Sequence, residues 1–176
     1  MTLAPALRRF TLVAHIAASV GWLGAAGAFL ALVLVGLTGQ DSPTVRVTYL
    51  LMAPIGWSVV VPLSLTSLVT GLVLALGTGW GLFRHYWVMT KLLINLGSVV
   101  VLLEYMQKMS SVSDAVASSA LPAQELARMR TDAIGHPALA LPLLLAATAL
   151  AVYKPWGPTR YGRRRQRERR AGSGTP

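Results

Sequence analysis

His15, Lys91, Glu104 and His136 stand inside otherwise apolar stretches of this 176-residue chain, and His85 immediately precedes one of them. Ionisable groups are costly within an apolar span, so each is a candidate site residue that turns toward other helices. An imidazole can ligate haem iron, and the thioethers of Met52, Met106, Met109 and Met129 with the His136 imidazole form a donor set that suits Cu(I). Structural roles compete with each of these. His15 can hydrogen-bond a hydroxyl or a backbone carbonyl on a neighbouring helix, and Lys91 can reach back to the head groups. Glu104 and His136 can sit in a membrane interface beside Arg128 or Arg130, and methionine is a common filler of core gaps. The candidate metal residues are therefore His136, Met106 and Met109. No catalytic residue stands out, because no glycine-rich phosphate loop, carboxylate pair or nucleophile with its base is present. The absence of cysteine removes disulfides, thiolate metal sites and Fe–S clusters.

These residues are carried by long apolar runs. With 54% hydrophobic and 12% charged residues and a mean hydropathy of +0.57, the composition is that of a membrane protein. Crossing a hydrocarbon layer of roughly 30 Å takes about 20 helical residues. Four runs are long enough: about 10–37, 48–76, 86–109 and 136–153. Pro54 and Pro62 fall in the second and predict a bend, with a hydroxyl such as that of Ser58 taking up a freed carbonyl. Arg8 and Arg9 before the first run also suit a signal peptide, but the apolar run continues nine residues past its small-residue stretch at Ala25–Ala28. The expected architecture is an all-α integral membrane four-helix bundle, up-down-up-down, over residues 1–156.

Helical spacing gives each span a face. His15, Ser19, Trp22, Ala26 and Phe29 share one stripe, and Arg84, Trp87, Lys91, Asn95, Ser98 and Tyr105 share another. Both are expected to face the bundle, with Ser64, Ser67 and Gly71 of the second span on a matching side. Ala17, Gly21, Gly24, Ala25 and Ala28 supply small surfaces for close helix approach or for self-association. His15 and Lys91 each lie about 8 Å from one membrane face, whereas Glu104 and His136 belong near the other.

Eleven basic residues flank one side of the spans: Arg8, Arg9, Arg84, Lys154 and seven arginines between 160 and 170. Arg46, Lys108, Arg128 and Arg130 fall on the other, which places both termini in the cytoplasm and the protein in the cell membrane. Tyr86, Trp87, Tyr153, Trp80 and Trp156 then line up as an inner aromatic belt. Residues 110–135 are expected to include a short extracytoplasmic helix with Leu121, Leu126 and Met129 on its apolar side. The Arg-rich tail, 157–176, reads as disordered and as a contact for anionic lipids; its single aromatic, Tyr161, makes no repeated stacking pattern with the arginines, so no specific nucleic acid is expected.

His15, Trp22 and Gly24 in a first membrane helix resemble the opening helix of the copper-resistance D membrane domain and of HemJ-type protoporphyrinogen oxidase. Trp87 and Lys91 in FRHYWVMTKLLINL are similar to the third-helix tryptophan and lysine of the latter. From Arg8 to about Trp156 the chain also looks like small four-span proteins of bacterial inner membranes grouped as a domain of unknown function. The HemJ-like resemblance implies b-type haem, with His15 as an axial ligand, Lys91 near it and His85 as the one histidine at a matching depth, so that the candidate cofactor residues are His15, Trp22, Lys91 and His85. The chain departs from it late in the third span, where Leu103-Glu104-Tyr105 stands in place of a further histidine.

Three functions are compatible with these residues. The first is a non-enzymatic packing, interaction or accessory protein, the default reading, which predicts a bundle without a central cavity. The second is a haem-binding or redox protein, which predicts a pocket bordered by His15, Trp22 and Lys91. The third is a copper or small-solute handling protein, which predicts a polar path joining the two faces.

Overall fold

The computed structural model describes residues 3–39, 42–77, 82–118, 128, 131, 133–154 and 157–164. Helix α1 spans Pro5–Thr38, α2 Ser42–Ile55, α3 Val61–Gly77, α4 Tyr86–Ala117 and α5 Gly135–Tyr153. α2 runs into α3 through a π-helical turn, Gly56–Val60, so the two form one span and the described residues contain four apolar helices long enough to cross a membrane. Helices begin earlier and end later than hydropathy alone indicated. α1 starts at Pro5, a proline suited to the first turn, and α4 continues eight residues past Met109 because Val112 remains buried against its neighbours.

Where Pro54 and Pro62 predict a bend, the span contains this π turn. Pro62 has no N–H for the carbonyl of Ser58, and the chain widens so that the Val61 N–H donates to the Gly56 carbonyl. The Ser58 hydroxyl donates to the Pro54 carbonyl at 2.6 Å. Gly56 is buried there beside Met106 and Phe29, in space a side chain would fill.

Inside the bundle, α1 presents one stripe. His15, Trp22, Phe29 and Gly36, seven residues apart, are all buried. Trp22, Phe29, Met52, Leu102, Tyr105 and Met106 form the centre of the core. Gly36 admits the Tyr49 ring, which would lie 3.0 Å from a Cβ there, and Gly21 admits Leu63. Ala17, Gly24 and Ala28 are exposed instead and take no part in this packing. The outside is as apolar as the inside: Phe10, Val13, Val69, Leu93, Leu139 and Leu145 are each more than half exposed. A protein surface of this kind is stable against lipid chains, not against water.

One end of the bundle gathers the chain ends. Leu3 N–H donates to the Gly77 carbonyl at 3.1 Å, and Thr159 N–H donates to the Arg84 carbonyl at 2.8 Å. The Thr159 hydroxyl donates to the Phe83 carbonyl at 2.6 Å and accepts from Gly162 N–H at 3.0 Å. His85 and Pro158 form an isolated antiparallel bridge. Residues 157–164, expected as the start of a disordered tail, are thus docked, because the buried Thr159 offers two donors, its N–H and its hydroxyl, matched to the Arg84 and Phe83 carbonyls. Residues 165–176, the expected surface helix with Leu121, Leu126 and Met129, and Trp80 and Trp156 of the aromatic belt lie outside the described residues.

Candidate functional site

His15 is buried where α1 packs against α3, and Lys91 reaches it from α4. Its Nδ1 lies 3.0 Å from the Ser67 carbonyl oxygen and 3.1 Å from Thr70 Oγ1. A carbonyl only accepts, so Nδ1 carries the proton and donates to both oxygens; Thr70 Oγ1 is free to accept because its own proton goes to the Thr66 carbonyl. Nε2 is left with its lone pair, and Lys91 Nζ donates to it at 3.2 Å. Gly71 makes the arrangement fit, since a Cβ there would lie 3.0 Å from His15 Cε1. The cross-helix hydrogen bond that one reading assigned to His15 is therefore made. Lys91 turns to this imidazole, and the ammonium is half-buried.

A cavity of about 540 Å³ opens beside the pair, with walls from α1, α3, α4 and α5. Arg8, His15, Lys91 and Asn95 are its charged or polar residues, with Ser19 and Thr148; leucine, valine and isoleucine form most of the rest. No carboxylate lines it among the described residues. The volume is within the range of sites for a single small molecule, roughly 300–1,000 Å³. Polar groups continue along its back wall. Ser19 Oγ and Ser67 Oγ are 2.8 Å apart, and Asn95 Nδ2 lies 3.5 Å from Ser67 Oγ. Asn95 Oδ1 and Ser98 Oγ are buried and have no hydrogen-bond partner among the described residues.

The other candidates are distributed differently. Trp22 does not border this cavity; it is a core residue that lines a separate cleft of about 20 Å³ with Phe29, Tyr105, Met106 and His136. His85 is outside both, bridged to Pro158 and 6.4 Å, ring to ring, from Trp87. Of the three histidines, then, His15 alone borders the large cavity. His136 stacks on Tyr105, with ring centres 4.6 Å apart and planes 15° from parallel, and Tyr105 donates to the Ala133 carbonyl at 2.9 Å. Met106 and Met109 are buried in the core, and the described residues contain no group of three His, Cys, Asp or Glu able to hold a metal. Glu104 is exposed. Between the His15 and His136 ends, Trp22, Ala26, Phe29, Val60, Leu102 and Met106 are buried against one another, so the described residues join the two ends with apolar packing.

Arg8 and the α5 wall were not legible as parts of a site. Arg8 reads as a topology signal, and Thr148, Ala151 and Val152 have no polar pattern to mark them. Ser67 and Gly71, spaced by one helical turn, were the available signal for a polar partner and a gap opposite His15. Comparison of the chain with family models, curated proteins and solved structures finds no match.

Proposed function

We propose that this is a multi-pass membrane protein, with both termini cytoplasmic and an up-and-down bundle, that binds an acidic organic molecule with a large apolar body in its cytoplasmic half. The observation that carries this reading is the cavity beside the His15–Lys91 pair: apolar walls, two cations and no carboxylate among its described residues. A cation in a low-dielectric wall is costly without a counter-charge, and an anionic ligand supplies one.

Haem b, which the HemJ-like resemblance implies, belongs to this class, and the residues present fit it. His15 would hold it through Nε2, the nitrogen that its bond to the Ser67 carbonyl leaves free of a proton. Lys91 and Arg8 would meet its acidic groups, and the aliphatic walls would exclude water. The bound group would supply one-electron chemistry. With one histidine at the cavity, the fit is to a single imidazole ligand and not to a bis-histidine pair.

The test is the visible spectrum of the full chain purified in mild detergent from haem-replete cells, with organic extraction of the same sample. A stoichiometric Soret band lost in a folded His15→Ala variant makes the ligand haem. A colourless sample that retains an acidic lipid keeps the binding reading with another occupant. A folded protein that carries neither and binds neither on titration overturns it in favour of a packing or interaction role.

A further inference from the structure

The cavity is unequally walled. Its charged and amide groups, Arg8, His15, Lys91 and Asn95, stand on α1 and α4, while its rim on α1 and α5, the Thr148 hydroxyl apart, is aliphatic and faces outward: Leu12, Ile16, Val20 and Val152 line it and are 45%, 54%, 63% and 70% exposed. Leu12, Ile16 and Val20 are successive turns of one helix, so the rim runs about 12 Å along the apolar span. This surface meets lipid, and the slot opens sideways into the bilayer.

Resting on the binding reading above, we propose that the slot between α1 and α5 is a lateral portal, and that the molecule entering through it is a single-chain lipid anion, a long-chain carboxylate. The chain lies along Leu12, Ile16 and Val20, and the carboxylate accepts from Lys91, which leaves His15 Nε2 to do so. Charge complementarity selects an anion, because the polar wall offers cations and amide or hydroxyl donors and no acid. The cavity volume of about 540 Å³ suits one such chain. Trp87, also on the cavity wall, reports occupancy.

The experiment is fluorescence quenching by dibromostearate of the full chain in phosphatidylcholine nanodiscs, with Trp87→Phe to assign the signal. The expected result is saturable quenching that disappears in Trp87→Phe, weakens about tenfold or more in Lys91→Met, and is lost in Ala151→Phe, which fills the portal. Lys91→Arg, which keeps the charge, retains saturable quenching and covers the case in which Lys91→Met does not fold. Equal, non-saturating quenching in the parent, Lys91→Met and Ala151→Phe proteins overturns the portal. Saturable quenching by brominated phosphatidylglycerol but not by dibromostearate overturns the single-chain carboxylate. Haem binding that requires His15 and is indifferent to dibromostearate overturns the lipid occupant while leaving the binding reading intact.

Discussion

Lys91 Nζ donates to His15 Nε2 across 3.2 Å, although the two residues are 76 positions apart. The same imidazole donates from its other nitrogen to Ser67 and Thr70, so one side chain ties three spans together. It also fixes the tautomer that a ligand in the cavity meets. Stability and binding are therefore coupled at His15, and variants must be measured for both.

His15→Ala removes three hydrogen-bonded contacts, to Ser67, Thr70 and Lys91, and leaves the Lys91 ammonium facing a void. The expected loss is about 1–3 kcal/mol of stability, short of unfolding the bundle. Thermal denaturation in detergent checks this, and an unchanged midpoint would show that the network contributes nothing to the fold.

Gly71→Ala places a methyl 3.0 Å from His15 Cε1, so the imidazole must shift from its carbonyl. A cost of about 1–2 kcal/mol is expected, with a disproportionate loss of ligand binding. Gly97→Ala is the control: on α4, with open space around it, the new methyl is expected to be neutral or stabilising by up to about 1 kcal/mol. Equal behaviour of the two variants in binding would dissociate Gly71 from the site.

At the π turn, a methyl on Gly56 meets Met106 Sδ and Cε, and Met106 is fully buried. Gly56→Ala is expected to destabilise by about 1–3 kcal/mol. In Gly56→Ala with Met106→Ala, the loss should be smaller than the sum of the single variants, because the second change clears the space. Additive losses in a double-mutant cycle would place the strain elsewhere.

Docking of the 157–164 segment depends on Gly162, where a Cβ would run into the Arg84 carbonyl oxygen. Gly162→Ala and Thr159→Val are expected to release the segment and speed tryptic cleavage at Arg160, Arg163 and Arg164 several-fold, with the bundle itself unaffected. Cleavage at the parental rate would mean that these contacts do not hold the segment.

The spans, the helical class and the inward faces were legible in the residues themselves. A bilayer demands about 20 apolar residues in a row with backbone groups bonded internally, and that demand is local to each segment. That the helix is irregular between Pro54 and Pro62 was legible for the same reason, since a missing N–H acts within its own helix. Seven-residue spacing, in contrast, made His15 and Trp22 look alike as cavity residues. Both are on the buried stripe, but the cavity lies at the level of the last turns of α5, lined by Thr148, Ala151 and Val152, which leaves Trp22 in packed core and His15 at a wall.

What the sequence by itself determined is a membrane-spanning, all-helical chain with a histidine and a lysine turned inward at similar depth. Tertiary structure decided that they touch, which nitrogen of His15 faces the cavity, that Arg8 and α5 complete its walls, and that residues 157–164 are docked. These depend on how helices distant in sequence approach one another, set by small gaps such as Gly71 and by backbone acceptors such as the Ser67 carbonyl. A backbone acceptor is present at every residue, so no side-chain pattern announces which one will be used.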